Sequence, residues 1–447
     1  MGIKNYISSL IKNYPDIICK KTNKNIDVLC IDTNSILHEI CDKTKTKEEF
    51  ISNLYKKLNK LIKRLNPKKI ALFVDGQAVL AKAKLQFDRR CKHLYKTTEY
   101  IDSLNLTPGT LFMDFLDIKM TEYLNSLNIE TYYSPSSEPN EGEIKLFIWL
   151  KKNYKNETIC IYGNDADLIV LSLINKPLLH IYIYNGKYYI SLYKLIKSLS
   201  KLSDYWYDFA THPIRTDFGL LSLFIGNDYN NSISNIDNLL EAYIDILYTN
   251  YPKRVFLVRK DGTINLNNIR LLLEKLSKVQ TSFSILYTKN DVNKYFEAIH
   301  WNFELYQGFT NSKYIPNYNI NLKTILHYFP KYINPIKSND TWIDKDINLL
   351  LIMPKIGINL IPERLRKFMQ KDSPVEYLFP EKCSECMHYK NEITLINSKI
   401  DLLDKKEFKI LSSLINQNYK KHIESNHSIN IKKNIEILSK YIKLYKT

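Results

Sequence analysis

The sequence predicts an α/β fold: a doubly wound, mostly parallel sheet with a mainly helical C-terminal region packed on it. Three observations carry that expectation. Short apolar runs alternate with amphipathic segments through the first half of the chain, as parallel strands and their crossover helices do. Acidic residues stand at the downstream ends of those runs, where doubly wound sheets bind their ligands. Beyond about Ile233 the strand-like runs stop and helical segments take over.

The elements follow in order. "IDVLCID" (Ile26 to Asp32) reads as a strand and is followed by a helix around Glu48 to Leu65. "KIALFVDG" (Lys69 to Gly76) is the second strand, and a long polar helix is expected from Val79 to about Tyr100. After a further helix, "TICIYGND" (Thr158 to Asp165) and "LLHIYIY" (Leu178 to Tyr184) complete the set. In the second half, "INLNNIRLLLEKLSK", "YFEAIHWNFELYQGF" and "NIKKNIEILSKYIKLY" read as helices. The expected organisation is an α/β core over residues 1–232, a mainly helical second region over 233–400 and a Lys-rich helical tail over 401–447. With no Pro/Gly/Ser linker between them, the parts are expected to pack as one body.

Composition narrows the class. Hydrophobic residues make up 45% and charged residues 25% of the 447, as in ordinary globular proteins. No run of about 20 apolar residues is free of charge, so a spanning helix is not expected. The N-terminus, "MGIKNYISSLIKNYPD", is too polar for a secretory signal, and Tyr6 stands where a myristoylation signal after Gly2 needs Ser or Thr. The chain thus reads as intracellular. Seven cysteines without regular spacing argue against a disulfide framework. "CSEC" (Cys383 and Cys386, with His388 following) has zinc-knuckle spacing, but no second CxxC completes it, so buried or loop thiols are expected. The net charge of +17 favours a polyanionic partner, although the excess lysine is spread along the whole chain.

Against that basic background the acids are informative. Asp32, Asp75 and Asp165 end three successive strand-like runs, and Asp167 stands one residue further on. "EPNEGEIKLFIWL" adds Glu141 and Glu143 at a helix start, and "LLSLFIGNDY" adds Asp228. Singly, each acid could cap a helix. Together, seven carboxylates in one crevice repel one another unless cations are present. Two Mg²⁺ or Mn²⁺ ions resolve the conflict, since hard divalent ions take oxygen ligands and a pair of them serves phosphodiester hydrolysis. After Asp75, the residues Lys82, Gln86, Arg89 and Arg90 fall at helical spacing, and 82, 86 and 89 share one face, which suits a phosphate. His38, six residues beyond Asp32, is placed to stack on a base.

These segments together resemble the Xrn family of 5′→3′ exoribonucleases. The resemblance runs from "MGIKNYISSLIKNYP" through "LCIDTNSILH", "ALFVDGQAVLAKAKLQFDRR", "LTPGTLFM", "EPNEGEIK" and "CIYGNDADLIVLSL" to "DFGLLSLFIGNDY", with weaker echoes as far as "DSPVEYLFP". It implies a PIN-like metal nuclease core in which Asp32, Asp75, Glu141, Glu143, Asp165, Asp167 and Asp228 hold the metals. Lys82, Gln86, Arg89 and Arg90 would recognise a 5′-monophosphate, His38 would stack on a base with Asn34 beside it, and Tyr314 would serve as a stacking aromatic. The implied activity is 5′→3′ degradation of single-stranded RNA bearing a 5′-monophosphate, by two-metal-ion hydrolysis that releases nucleoside 5′-monophosphates in RNA turnover.

The chain also departs from the family pattern. Ile144 stands where the family has His in "EGEHK", "VLAK" replaces a Pro-Arg pair after Asp75, and the aromatic-rich stretch is reduced to "NSKYIPNY". A long C-terminal extension is not expected, so the chain reads as a minimal catalytic unit and a monomer. Two other functions stay open: a structure-specific flap-type DNA nuclease, since metal hydrolysis does not itself require a 2′-OH, and a non-catalytic RNA-binding relic. The retention of all seven acids speaks against the relic. The expected compartment is the cytoplasm, with the nucleus as the alternative.

Overall fold

The computed structural model describes residues 3, 5–22, 24–95, 99–202, 212–250, 253, 255–278, 287–309, 311–316, 320–337, 339, 341–398, 404–426 and 429–446. Gly2 and the end of "NSKYIPNY" (Asn317 and Tyr318) lie outside them. The chain forms two compact units whose pieces interleave along the sequence. The first comprises Met1–Ile40, Glu48–Lys82 and Leu116–Trp342; the second comprises Cys41–Lys47, Ala83–Phe115 and Ile343–Thr447.

The first unit is built on a seven-stranded sheet: β1 (Ile18–Cys19), β2 (Val28–Asp32), β3 (Lys69–Phe73), β4 (Glu130–Ser134), β5 (Ile159–Tyr162), β6 (Ile181–Tyr184) and β7 (Tyr189–Ser191), in the order β1-β7-β6-β5-β2-β3-β4. The five strands from β6 to β4 are parallel; β7 and β1 add an antiparallel edge. The chain winds outward through β2, β3 and β4, then returns to lay β5 and β6 on the other side of β2. The switch point of this doubly wound sheet therefore lies between β2 and β5, where such sheets open a crevice at their carboxyl ends.

The strands that the sequence predicts are the central ones. Every residue of β5 and of β6 is buried, and such uninterrupted apolar runs belong to strands covered on both faces. The strands that the apolar pattern does not reveal are β1, β4 and β7. They are short or, like "ETYYS" in β4, begin exposed at the sheet edge, so their side chains need not be apolar.

Helices cover both faces. Lys47–Leu65 turns one stripe inward (Phe50, Leu54, Leu58, Leu61 and Leu65), with Glu48 and Glu49 in its first turn and Lys63 and Arg64 in its last, matching the helix dipole. Asp167–Ile174 is buried all round. Its C-terminal end is held by Arg215, fully buried, whose Nε donates to the Leu173 carbonyl (3.0 Å) and whose Nη2 donates to that of Ser172 (2.6 Å). Carbonyls at a helix end need such donors, and a cation there also satisfies the dipole. Arg215 comes from Pro213–Phe224, which packs against Asp167–Ile174 and carries the helices Ile236–Thr249 and Lys289–Tyr306 on its other sides. The helices between Pro213 and Trp342 thus belong to the sheet's own unit.

The long polar helix expected from Val79 to Tyr100 is not formed. A 3₁₀ turn occupies Leu80–Lys82, an α-helix only Ala83–Cys91, and a second 3₁₀ turn Lys92–Tyr95. The segment has few apolar residues to fix a long helix, with only Ala83 and Phe87 of the α-helix buried. At its start the Leu80 N–H is diverted to the Ser312 carbonyl (2.8 Å). The second unit is helical in its C-terminal part, with Lys345–Ile352 packed against Ile431–Lys446 and against Ala83–Cys91. Among the described residues, no helix is long and apolar enough to cross a membrane.

Candidate metal centre at the carboxyl ends of the strands

The switch point gathers the acids. Asp32 is the last residue of β2, Asp75 lies two residues beyond β3, and Asp165 and Asp167 lie beyond β5. Glu141 and Glu143 bracket the first residue of the helix Gly142–Asn153, and Asp228 follows the tight turn at Gly226 (φ +90°). Glycine lets the helix Gly142–Asn153 come this close to the end of β3. A Cβ on Gly142 would stand 2.9 Å from the Phe73 carbonyl oxygen and 3.2 Å from Asp75 Oδ1. Without one, the Gly142 N–H donates to Asp75 Oδ1 at 2.6 Å.

Each acid sits in the field of the others. Burial, then Asp75 and Asp165, push the Asp32 carboxyl well above the usual carboxylate range. Burial, followed by Glu141, raises Asp75 to about 6, against the Gly142 N–H. Glu143 is pushed well up by burial and then by Asp167, Asp165 and Glu141. Asp167 is pushed up by burial and then by Asp165, with Asp228 and Glu141 adding to it. Carboxylate oxygens of Glu143, Asp165 and Asp167 lie within 4.8 Å of one another. The Asp167 N–H is already donated to Asp165 Oδ1 (3.2 Å), while the buried Asp167 Oδ1 has no hydrogen-bond partner among the described residues. A buried, undonated carboxylate oxygen is costly in a protein and is the natural ligand of a hard cation. The donor set, all oxygen, fits divalent metal binding.

Lys82 lies in the 3₁₀ turn Leu80–Lys82, just before Ala83–Cys91, and stands among these acids. Its buried ammonium group pairs with Glu141 and, at 2.9 Å, with Asp228 Oδ2. Burial alone would lower its pKa, but Glu141 and Asp228 outweigh it and hold the group charged. Gln86, Arg89 and Arg90 lie on Ala83–Cys91 in the second unit, half-buried. There the Arg90 Nε donates to Thr107 Oγ1 (2.7 Å) and its Nη1 to the Gln86 carbonyl (3.1 Å). Thr107 opens the "TPGT" motif, so two motifs distant in the sequence meet. Asn34 receives the Asp75 N–H on its Oδ1 (3.1 Å), an anchor for the end of β3, and His38 is exposed one turn further along Thr33–Ile40. Tyr314 packs on Trp301 (centroids 5.2 Å), which in turn meets Tyr229 edge-on (5.6 Å).

Tyr229, Lys145 and Tyr306 were not singled out from the sequence. The buried Tyr229 hydroxyl donates to Glu141 Oε2. Lys145 is buried and donates to the carbonyls of Pro135 (2.8 Å) and Glu138 (3.1 Å), shaping the turn before Glu141; burial lowers its pKa to about 8. The buried Tyr306 hydroxyl accepts from Asn227 Nδ2 (3.3 Å). Each had a signal, since Tyr229 closes "GNDY" and Lys145 closes "EGEIK". Tyr306 lies far along the chain, in the weaker echo "YFEAIHWNFELYQGF".

Fold and site define a doubly wound α/β protein with a carboxylate cluster at its switch point. Residues 1–100 and 91–184 match the family described as XRN 5'-3' exonuclease N-terminus. The match spans residues 1–184 of the 447. It is 24% identical to 5'-3' exoribonuclease 1 of Schizosaccharomyces pombe over 370 residues, covering 66% of this chain and 27% of that protein. It is 25% identical to 5'-3' exoribonuclease 2 of Kluyveromyces lactis over 324 residues, 53% of this chain and 32% of that protein. The chain therefore spans about a third or less of those relatives. Among solved structures, the catalytic core of Rad2 in complex with DNA substrate superposes over 83% of this chain and 96% of that one, with a TM-score of 0.35 and 12% identity.

Proposed function

We propose that the chain is a 5′→3′ exoribonuclease acting on single-stranded RNA with a 5′-monophosphate and releasing nucleoside 5′-monophosphates. The observation that carries the reading is the meeting of seven carboxylates at the switch point of a chain matching an exonuclease family, one of them with a buried, undonated oxygen. Asp32, Asp75, Glu141, Glu143, Asp165, Asp167 and Asp228 would hold two Mg²⁺ or Mn²⁺ ions. When bound, such ions offset the carboxylate repulsion, activate water and stabilise charge on the leaving oxygen.

The chain's own groups supply the rest. Lys82 and Tyr229 grip Glu141 from two sides and fix its orientation. Asn34 and the Gly142 N–H hold Asp75. Lys82, Gln86, Arg89 and Arg90 read the 5′-phosphate, with arginine forks suited to its oxygens. His38 and Tyr314 offer faces for bases. In this reading residues 1–232 are the catalytic core, 233–400 complete the site and 401–447 form a tail. The protein acts as a monomer in the cytoplasm.

The test uses 3′-labelled RNA with a 5′-monophosphate, a matched 5′-triphosphate RNA and a DNA strand, each with and without Mg²⁺. Metal-dependent loss of the monophosphate RNA alone, without internal fragments, is expected. Preferred cutting of DNA, or internal cuts at branches, would make it a flap-type nuclease, and tight RNA binding without cleavage a relic. Arg89→Ala should reduce the preference for 5′-monophosphate over 5′-hydroxyl ends roughly tenfold, the loss of one charge-assisted contact. Equal loss on both ends would remove Arg89 from end recognition.

A further inference from the structure

The second unit holds another group of ligands, of different chemistry. Cys383 stands just before the helix Ser384–Ser398 and Cys386 lies in its first turn. The facing helix, Lys405–Asn426, brings His422 to them. Sγ of Cys383, Sγ of Cys386 and a ring nitrogen of His422 lie within 4.8 Å of one another. His422 Nε2 is 3.3 Å from Cys383 Sγ. In a tetrahedral zinc site, Zn–S and Zn–N bonds of about 2.3 and 2.0–2.1 Å put sulfur and nitrogen about 3.6 Å apart, so this spacing needs little adjustment. From the facing side Glu385 Oε2 meets His422 Nδ1 at 2.5 Å. A carboxylate on the second ring nitrogen is the usual arrangement around a metal-binding histidine, because it fixes the ring and leaves the other nitrogen's lone pair for the metal. His388, the histidine next to the motif in sequence, is not part of the group: its side chain is 71% exposed and faces Glu392 at 3.4 Å.

The packing of this helical pair gives an independent reason. Among the residues from 381 to 426 whose side chains are described, Cys386 and His422 alone are buried. Leu395, Ile410, Leu411 and Leu414 are exposed. Two helices that bury so little apolar surface gain little from their contact, and small elements of this kind rely on a cross-link.

We propose that Cys383, Cys386 and His422 bind one zinc ion, with a water as fourth ligand, and that the ion clamps the helix pair. Binding releases both thiol protons to solvent, and the two thiolates neutralise the dication. The site shares no residue with the carboxylate cluster and depends on no reading of it.

The test uses the full-length protein. Zinc is measured after purification under reducing conditions, removed with a chelator and replaced by Co²⁺, whose thiolate charge-transfer absorption reports sulfur ligands. Oxygen ligands give no such band, so Co²⁺ at the carboxylate cluster is silent in this readout. One equivalent of zinc is expected, with a cobalt band that saturates at one equivalent and is lost in Cys383→Ser and Cys386→Ser. Glu385→Gln should keep the band but weaken zinc binding roughly 10–100-fold. If the serine variants fold poorly, alkylation of the wild type decides instead: zinc should slow labelling of Cys383 and Cys386 and leave Cys91 unaffected. Absence of the band in reduced wild type, its survival in both serine variants, or a Cys383–Cys386 disulfide in the purified protein would each overturn the proposal.

Discussion

Asp167 and Asp217 are both buried, on helices that pack against each other, and the protein treats them in opposite ways. Asp217 is saturated. It accepts from the Tyr243 hydroxyl (2.6 Å) and from the backbone N–H groups of Leu257 (2.7 Å) and Val258 (2.8 Å), tying Pro213–Phe224 to the segment beyond it. Asp167 receives its neighbours' repulsion instead, and its Oδ1 finds no donor among the described residues. A carboxylate whose lone pairs are filled by the fold stabilises the fold. One left short, among like charges, adds strain that a ligand relieves. Both aspartates lie in motifs of similar appearance, so only the donors around them separate scaffold from chemistry.

The largest expected effect comes from breaking the chemical half of this pair. Asp167→Asn should lower RNA cleavage by roughly 10³-fold or more, about 4 kcal/mol in barrier, while leaving stability in chelator unchanged or improved. Wild-type turnover in this variant would sink the metal assignment. Asp217→Asn should do the reverse. It puts an amide among three donors and should cost about 2–4 kcal/mol in urea unfolding, with turnover of the folded protein unchanged.

Metal binding should sharpen the contrast. With Mg²⁺ at about a hundredfold over its dissociation constant, the wild type should gain about 2.7 kcal/mol, and Asp167→Asn much less. The pH dependence has a definite sign. Asp75, at about 6 when folded, binds its proton more tightly there than in the unfolded chain. In chelator, stability should therefore fall as pH rises from about 4 to 6 and stay low above that. Mg²⁺ should restore it on the alkaline side, and a flat profile in chelator would show that the acids are not crowded. The smallest effect is expected from Tyr229→Phe, which removes one donor to Glu141 and should weaken metal binding roughly tenfold with little change in stability.

Much of this was legible in the chain. Asp32, Asp75 and Asp165 could be placed at the sheet's carboxyl ends because parallel strands buried on both faces announce themselves as apolar runs, and the acids end those runs. Edge strands such as β4 were not legible, since an edge tolerates polar residues. Spacing put Lys82 on a helix face, yet the helix begins one residue later, and what its ammonium pairs with, Glu141 and Asp228, could not be read from the spacing. The "CSEC" motif looked incomplete because its third partner, His422, stands on another helix.

The sequence by itself determined what is local: the alternation of strands and helices, the acids at the ends of apolar runs, and the glycines that permit close turns. Tertiary structure alone decided which acid is satisfied and which is left short. It also decided that Lys82 and Tyr229 serve Glu141, and that two cysteines meet a histidine. Periodicity reports how a residue relates to its own element. Donors, charges and ligands act through space, and the folded chain brings them from dozens or hundreds of residues away.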